Sequence, residues 1–564
     1  MEVVWFTIKA THNLLISSDM NHPTIIFGLD GACFELLQPW IGDGTLPTIQ
    51  NLIKRGGQSA VESSVPSTTP PAWTSLTTGV NPGKHGVFGF YTRQKGTYDI
   101  EPVSNEDIYA RRLWDYASIA GFTSLVINVP VTHPGRKLNG VIVPGYLARD
   151  TPRTHPPDIL EKVEMNDYHV YAESEGNNVP EEQLLDEWLR LTDSRRELTV
   201  RLMDAYEWDL LFLEFQKTDS AVHKFDNSEK IRQIYERVDK CMADILGEVE
   251  GEANVLVVSD HGIGQEKDWS IGLNTLLVEK GYAETKLREE SNANWREQMT
   301  GYPDNNTSSE IVTRILQRLG SVGITKQQLE RVVSKLGLYD VAARLAPKGF
   351  GDTLEEIIDH EQSVAFYEGM GFSGVDVGII INDKQFYPNG TVGSDEYEST
   401  REELMTVLKS LEGPAGQPFA SVQRREEVYT GPRTEYAPDI ILKQAPKYVI
   451  GSQHPRGETF IPADERRIDH TRHGLLVGAG PDISSNWIFN KTPSIMDVTP
   501  TLLHLLDITL DKRFDGHVLR PLMSKEEDPV SKTYESFEPE SKEEFSEIEE
   551  AELRDRLQDM GYLK

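Results

Sequence analysis

Cysteine is almost missing from this chain. Cys33 and Cys241 are the only two among 564 residues, which points away from a disulfide framework and from a cysteine-ligated zinc site. Long apolar runs are missing too, so no segment reads as a membrane span. Residues 1–19 hold apolar pieces (VVWF, LLIS) broken by Lys9 and His12. Without a basic start and an unbroken apolar stretch they do not read as a signal peptide. Met20 directly precedes the first convincing strand, and residues 1–19 read as an extension upstream of the true start. Basic charge is scarce: 57 Lys and Arg stand against 90 Asp and Glu, a net charge of −33. The acid is spread along the whole chain, as on a solvated surface in a salt-rich cytoplasm. Such a surface repels nucleic-acid polymers and anionic membranes, so neither is an expected partner.

What is present is a series of apolar runs that end in ligand-type residues. Thr24 to Leu29 (TIIFGL) reads as a buried strand delivering Asp30-Gly31. A continuous apolar run ending in a carboxylate is how a parallel strand presents a residue at its C-terminal end. In the stretch Thr68-Thr69-Pro70-Pro71-Ala72-Trp73 the prolines fit the first turn of a helix, where an unpaired N–H is expected anyway. Thr69 then lies at or just before a helix N-terminus, where free amides and the helix dipole favour an anion such as phosphate. DLLFLEF at 209–215 is another strand, followed by Asp219 and His223 at i and i+4. On a helix that spacing puts both side chains on one face. VLVV at 255–258 leads into Ser259-Asp260-His261-Gly262, and HTRHG at 470–474 precedes a further apolar strand.

The chain divides by character. Residues 20–285 read as the first part of a catalytic core, and 286–360, polar and without a buried strand, as an inserted cap. Residues 361–520 resume the strand pattern and end in a helix entered through Ser494. Residues 521–564 read as an acidic linker closed by an amphipathic helix carrying Leu553, Leu557 and Met560 after a Ser546/Glu549 capping box. Strands alternating with helices over this length indicate an α/β fold with a mostly parallel sheet.

The strand-end residues are Asp30, Thr69, Asp219, His223, Asp260, His261 and His470. Carboxylates and imidazoles in that mixture suit two adjacent sites for Zn²⁺, or for Mn²⁺ if the carboxylates dominate. Two such ions about 4 Å apart can hold the entering and leaving oxygens of a phosphoryl displacement. Coordination also supplies the activation that a threonine hydroxyl lacks at neutral pH.

DG at 30–31, STTPPAWTSLTTGVNPGKHGV at 67–87, TDSAVH at 218–223, SDHG at 259–262 and H-x-x-x-G at 470–474 occur in that order. Together they resemble the type I phosphodiesterase/nucleotide pyrophosphatase branch of the alkaline phosphatase superfamily. The stretches GLNTLLVEKGY, EEVYTGPRTEYAPDIIL and GLLVGAGP resemble its connective sequence. The resemblance implies a three-layer α/β sandwich with an inserted cap, and a metal-dependent phosphoesterase acting on small phosphodiesters. It implies one ion held by Asp219, His223 and His470 and another by Asp30, Asp260 and His261. Thr69 would be both ligand and nucleophile, through a phosphothreonine intermediate. Thr68 competes with Thr69 for that role, and His473 competes with His470.

Departures from the family pattern narrow the expectation. Phe90 stands where nucleotide pyrophosphatases carry an asparagine for the non-bridging oxygen, which weighs against a nucleotide pyrophosphate substrate. The C/S-x-P-x-R context of sulfatases is missing around Thr69, and the cofactor-independent phosphoglycerate mutases use serine. His85 in PGKHG is expected to be structural. The alternatives are a phosphomonoesterase or a phosphoryl or headgroup transferase on the same two-metal site, with the 286–360 segment deciding among them. From another class, a catalytically silent binder of a phosphorylated metabolite remains.

Overall fold

Thr24–Leu29 (β1) is buried along its whole length and forms the middle of a seven-stranded sheet. The other strands are Gly57–Glu62 (β2), Ser124–Ile127 (β3), Gly140–Val143 (β4), Leu210–Phe215 (β5), Asn254–Val258 (β6) and His473–Ala479 (β7), in the order β2-β7-β6-β1-β5-β3-β4. Pairing is parallel from β6 to β4, while β7 runs antiparallel to both β6 and β2. This computed structural model describes residues 22–93, 95–175, 179–264, 267–287, 356–368, 376–450, 455, 457–463, 469–539 and 553–554. The extension at 1–19, nearly all of the 286–360 segment, the Ser546/Glu549 box, Leu557 and Met560 lie outside the described residues.

The strands read as unbroken apolar runs because helices cover both faces of the sheet. Ile25, Phe27, Leu29, Leu211, Leu213 and Phe215 point into one core. That side is closed by Phe34–Gly42 (α1), Pro47–Arg55 (α2), Glu181–Ala205 (α5) and Ser228–Gly247 (α7). Ile26, Phe212, Leu256 and Val258 point to the other side, under Thr69–Thr78 (α3), Leu113–Ala120 (α4) and Val498–Leu505 (α8). The short helix Lys217–Lys224 (α6) follows β5 directly. The result is the expected three-layer α/β sandwich.

A second, four-stranded antiparallel sheet is built from Ala365–Phe366, Asp376–Ile381, Ile440–Gln444 and Phe419–Arg424. The two ends of the polar segment meet in a small ladder, Thr285–Leu287 against Glu356–Ile358. Beyond residue 520, Ser531–Lys532 pairs in parallel with Leu510–Asp511, Tyr534 is buried edge-on against Tyr116, and Leu553 is buried in the core. The last core helix begins as a 3₁₀ turn, Ile495–Asp497, with Ser494 and Asp497 capping each other. Among the described residues no helix is long and apolar enough to cross a membrane.

Candidate active site

One rim of the central sheet gathers the ligand-type residues, for a topological reason. In a parallel sheet all C-terminal strand ends lie on the same edge, where the following loops build a site. β1 delivers Asp30 there, β5 leads through α6 to Asp219 and His223, and β6 delivers Asp260 and His261. β7 runs the opposite way, so its beginning reaches that edge. His470–Thr471, just ahead of β7, pairs with Gly262–Ile263 and thereby sets His470 beside His261. The two imidazoles stack with centroids 3.9 Å apart.

The distances describe a crowded, nearly dry centre. His261 Nε2 lies 3.3 Å from Asp260 Oδ2 and 3.6 Å from Asp30 Oδ1. Asp219 Oδ1 lies 3.4 Å from His223 Nε2 and 3.8 Å from His470 Nε2, and those two nitrogens are 3.0 Å apart. Helix α6 confirms the i, i+4 placement of Asp219 and His223. Asp30, Asp219, Asp260 and His261 are fully buried and His470 nearly so, while His223 keeps some solvent contact. Gly31 N–H donates to Asp260 Oδ1 at 3.2 Å, and His470 Nδ1 faces the Ser67 carbonyl at 3.2 Å. A proton on Nδ1 donated to that carbonyl puts the lone pair on Nε2, which faces Asp219 and His223.

Such packing of like charges moves the titrations. Burial, then the Asp260 and Asp219 charges, holds the Asp30 carboxyl well above the usual range. Burial lifts Asp260 to about 6 and pushes His261 down to about 4. For Asp219 burial works upward, but the charges and hydrogen bond of His223, then His470 and His261, outweigh it and lower the pKa. Among the described residues, Asp30 Oδ1, Asp260 Oδ2, His261 Nε2 and Thr69 Oγ1 form no hydrogen bond although all are buried. Buried polar atoms without partners are rare in folded proteins, and a cation would satisfy these. Two sets of donor atoms, from Asp219, His261 and His470 and from Asp30, Asp260 and His261, each lie within 4.8 Å of one another. Oxygen and nitrogen donors of this kind fit a divalent transition ion.

Thr69 is the first residue of α3, with Thr68 at the N-cap and Gly79 closing the helix in the left-handed conformation. Both threonines are fully buried, and neither hydroxyl has a hydrogen bond among the described residues. Pro70 and Pro71 carry no N–H, so the first turn offers an anion the Thr69 amide and the helix dipole rather than a full set of amides. His470 and His473 separate clearly: His470 is buried in the cluster, whereas His473 is exposed at the start of β7. His85 is fully buried, its Nε2 2.9 Å from Ser75 Oγ and its Nδ1 accepting from Val87 N–H at 3.1 Å. Phe90 is buried edge-on against Tyr146 and brings no donor to the site.

Residues 24–475 match the family described as type I phosphodiesterase / nucleotide pyrophosphatase. The chain belongs to this family. It is accordingly a phosphoric ester hydrolase, and metal-dependent phosphoester hydrolysis is the chemistry of the group. Among solved structures it is similar to phosphonoacetate hydrolase from Sinorhizobium meliloti 1021 in complex with phosphonoformate, at 17% identity over 86% of this chain and 96% of that one, TM-score 0.52. It is also similar to a mutant of the alkaline phosphatase PafA, at 14% identity over 90% and 100%, TM-score 0.51. At these identities the likeness is one of fold. Among curated proteins none matches the sequence.

Two residues of the site region escaped sequence reasoning. Trp73 Nε1–H donates to Asp30 Oδ2 at 3.2 Å. Glu214, fully buried in β5, accepts from Asn128 Nδ2 at 2.9 Å, and burial followed by the Asp260 charge holds its pKa well above normal. The sequence signal for Glu214 is a single carboxylate inside the apolar run LLFLEF at 210–215.

Proposed function

We propose that this family member hydrolyses small phosphodiesters, with Thr69 as the nucleophile and a phosphothreonine intermediate. The observation that carries the reading is the convergence of Asp30, Asp219, His223, Asp260, His261 and His470 on one buried rim, bracketing the start of α3. Ser67 touches His470 and Trp73 touches Asp30, so the residues on either side of Thr69 are both tied to that cluster. Asp219, His223 and His470 would hold one divalent ion and Asp30, Asp260, His261 and Thr69 the other, with zinc the first candidate and manganese the second. Bound there, the ions would supply Lewis-acid charge that favours the threonine alkoxide and balances the phosphoryl oxygens.

The chain's own part is positioning and bond exchange. Thr69 Oγ1 gives up its proton to solvent and forms a bond to phosphorus as the ester P–O bond breaks, and the departing alkoxide takes up a proton to leave as the alcohol. Water then adds to phosphorus, the P–Oγ1 bond breaks, and the threonine hydroxyl is restored. The dipole of α3 favours negative charge at this spot in both steps. No side-chain donor comes from Phe90, which accords with a substrate other than a nucleotide pyrophosphate.

The test is the initial rate on bis-p-nitrophenyl phosphate against p-nitrophenyl phosphate, in high salt with Zn²⁺ or Mn²⁺. A diester preference is expected, with kcat/KM reduced about 10³-fold or more in Thr69→Ala and far less in Thr68→Ala. A monoester preference would move the assignment to a phosphatase or transferase. Full activity in Thr69→Ala would remove the threonine mechanism.

A further inference from the structure

The indole of Trp73 joins two parts of the site that are distant in sequence. Trp73 sits on α3 four residues after Thr69, so the two side chains share one helical face. It is fully buried, and its Nε1–H is bonded to Asp30 Oδ2. An indole has one donor and no acceptor, so it can occupy only one oxygen of the carboxylate. The other oxygen, Oδ1, forms no hydrogen bond and faces His261 Nε2 at 3.6 Å. The ring cannot wander. Phe212 meets it edge-on at 6.1 Å, and a Cβ on Gly28 would stand 2.6 Å from its Cη2 atom. β1 therefore has no side chain where it faces the indole and, two residues later, presents the carboxylate that the indole holds.

We infer that Trp73 is a positioning residue: its N–H secures Oδ2 of Asp30 so that Oδ1 alone is turned towards a bound divalent ion, and α3 couples that orientation to the placement of Thr69. Groups that orient a metal ligand typically contribute about 10- to 100-fold in metal affinity. The inference rests on the two-ion reading given above and adds a residue that makes no contact with the ion.

The experiment titrates the metal-free, full-length protein with Zn²⁺ or Mn²⁺ in competition with a chelating indicator. Trp73→Phe keeps a ring and removes the N–H, and should weaken one of the two ions by about 10- to 100-fold. Gly28→Ala keeps the N–H but displaces the ring, and should weaken the same ion. Phe212→Leu removes the edge contact while leaving the N–H, and should weaken the same ion by less than Trp73→Phe does. Wild-type affinities for both ions in Trp73→Phe would overturn the inference and leave the two-ion reading standing. A wild-type protein that binds neither ion would overturn both.

Discussion

Both sheets of this molecule bury carboxylates, and the surroundings of those carboxylates differ. In the smaller sheet Arg472 forks onto Asp376 through Nε and Nη2, and Arg425 Nη1 stands 2.9 Å from Asp439. At the rim of the central sheet Asp30 and Asp260 face the imidazole of His261, and among the described residues no Lys or Arg pairs with either. Burial raises the carboxyl pKa in both places, but Asp30 is driven furthest because Asp260 and Asp219 add their charges to it. A buried anion without a counter-charge is costly, so a fold retains one where a cation arrives from outside. The smaller sheet encodes its cations in the sequence. The central rim leaves them to the solution.

If that contrast holds, removing a carboxylate should have opposite signs at the two places. Asp376→Ala strips Arg472 of its partner and is expected to cost about 3 kcal/mol in urea unfolding, the usual result of breaking a buried pair. Asp260→Asn should instead stabilise the metal-free protein. Its folded pKa of about 6 lies above the ordinary aspartate value of 3.8, so the ionised carboxylate penalises the fold above pH 6 and not below about pH 4. The expected gain is on the order of 2 kcal/mol at pH 7.5, fading as the pH falls from 6 to 4, in melts run with a chelator. A loss of stability at pH 7.5 would erase the contrast. The smallest effect is expected from His473→Ala, below about 0.5 kcal/mol because the side chain is exposed. Ion affinity should also stay unchanged. Loss of an ion in that variant would transfer the ligand role away from His470.

Much of the rim is legible in the sequence, because parallel strands covered on both faces leave continuous apolar runs that point to the ligand-type residues after them. Asp30, Asp219 and Asp260 each follow such a run. The i, i+4 spacing of Asp219 and His223 carried its own geometry. The Trp73–Asp30 bond was not readable, since it spans 43 positions and depends on how α3 settles over Gly28. Glu214 is half legible for the same reason: its place in an apolar run marks it as interior, but not that Asn128, 86 positions away at the end of the neighbouring strand, donates to it. The burial of His470 and the exposure of His473 follow from the pairing of Thr471 with Gly262, a long-range register. Thr68 and Thr69 remain alike in burial, and the kinetic comparison separates them.

The position of β7 has a consequence for biosynthesis. It is the last strand of the central sheet to be made, yet it belongs between β2 and β6, both completed by Val258. Translation at the usual pace leaves those neighbours waiting with open edges for roughly ten to forty seconds. Until His470 emerges on the approach to β7, the ribosome carries an incomplete candidate site and two strands able to pair with any other chain that offers an edge. The active site is thus a property of the finished polypeptide, and a truncated product would be an aggregation hazard rather than a weaker enzyme.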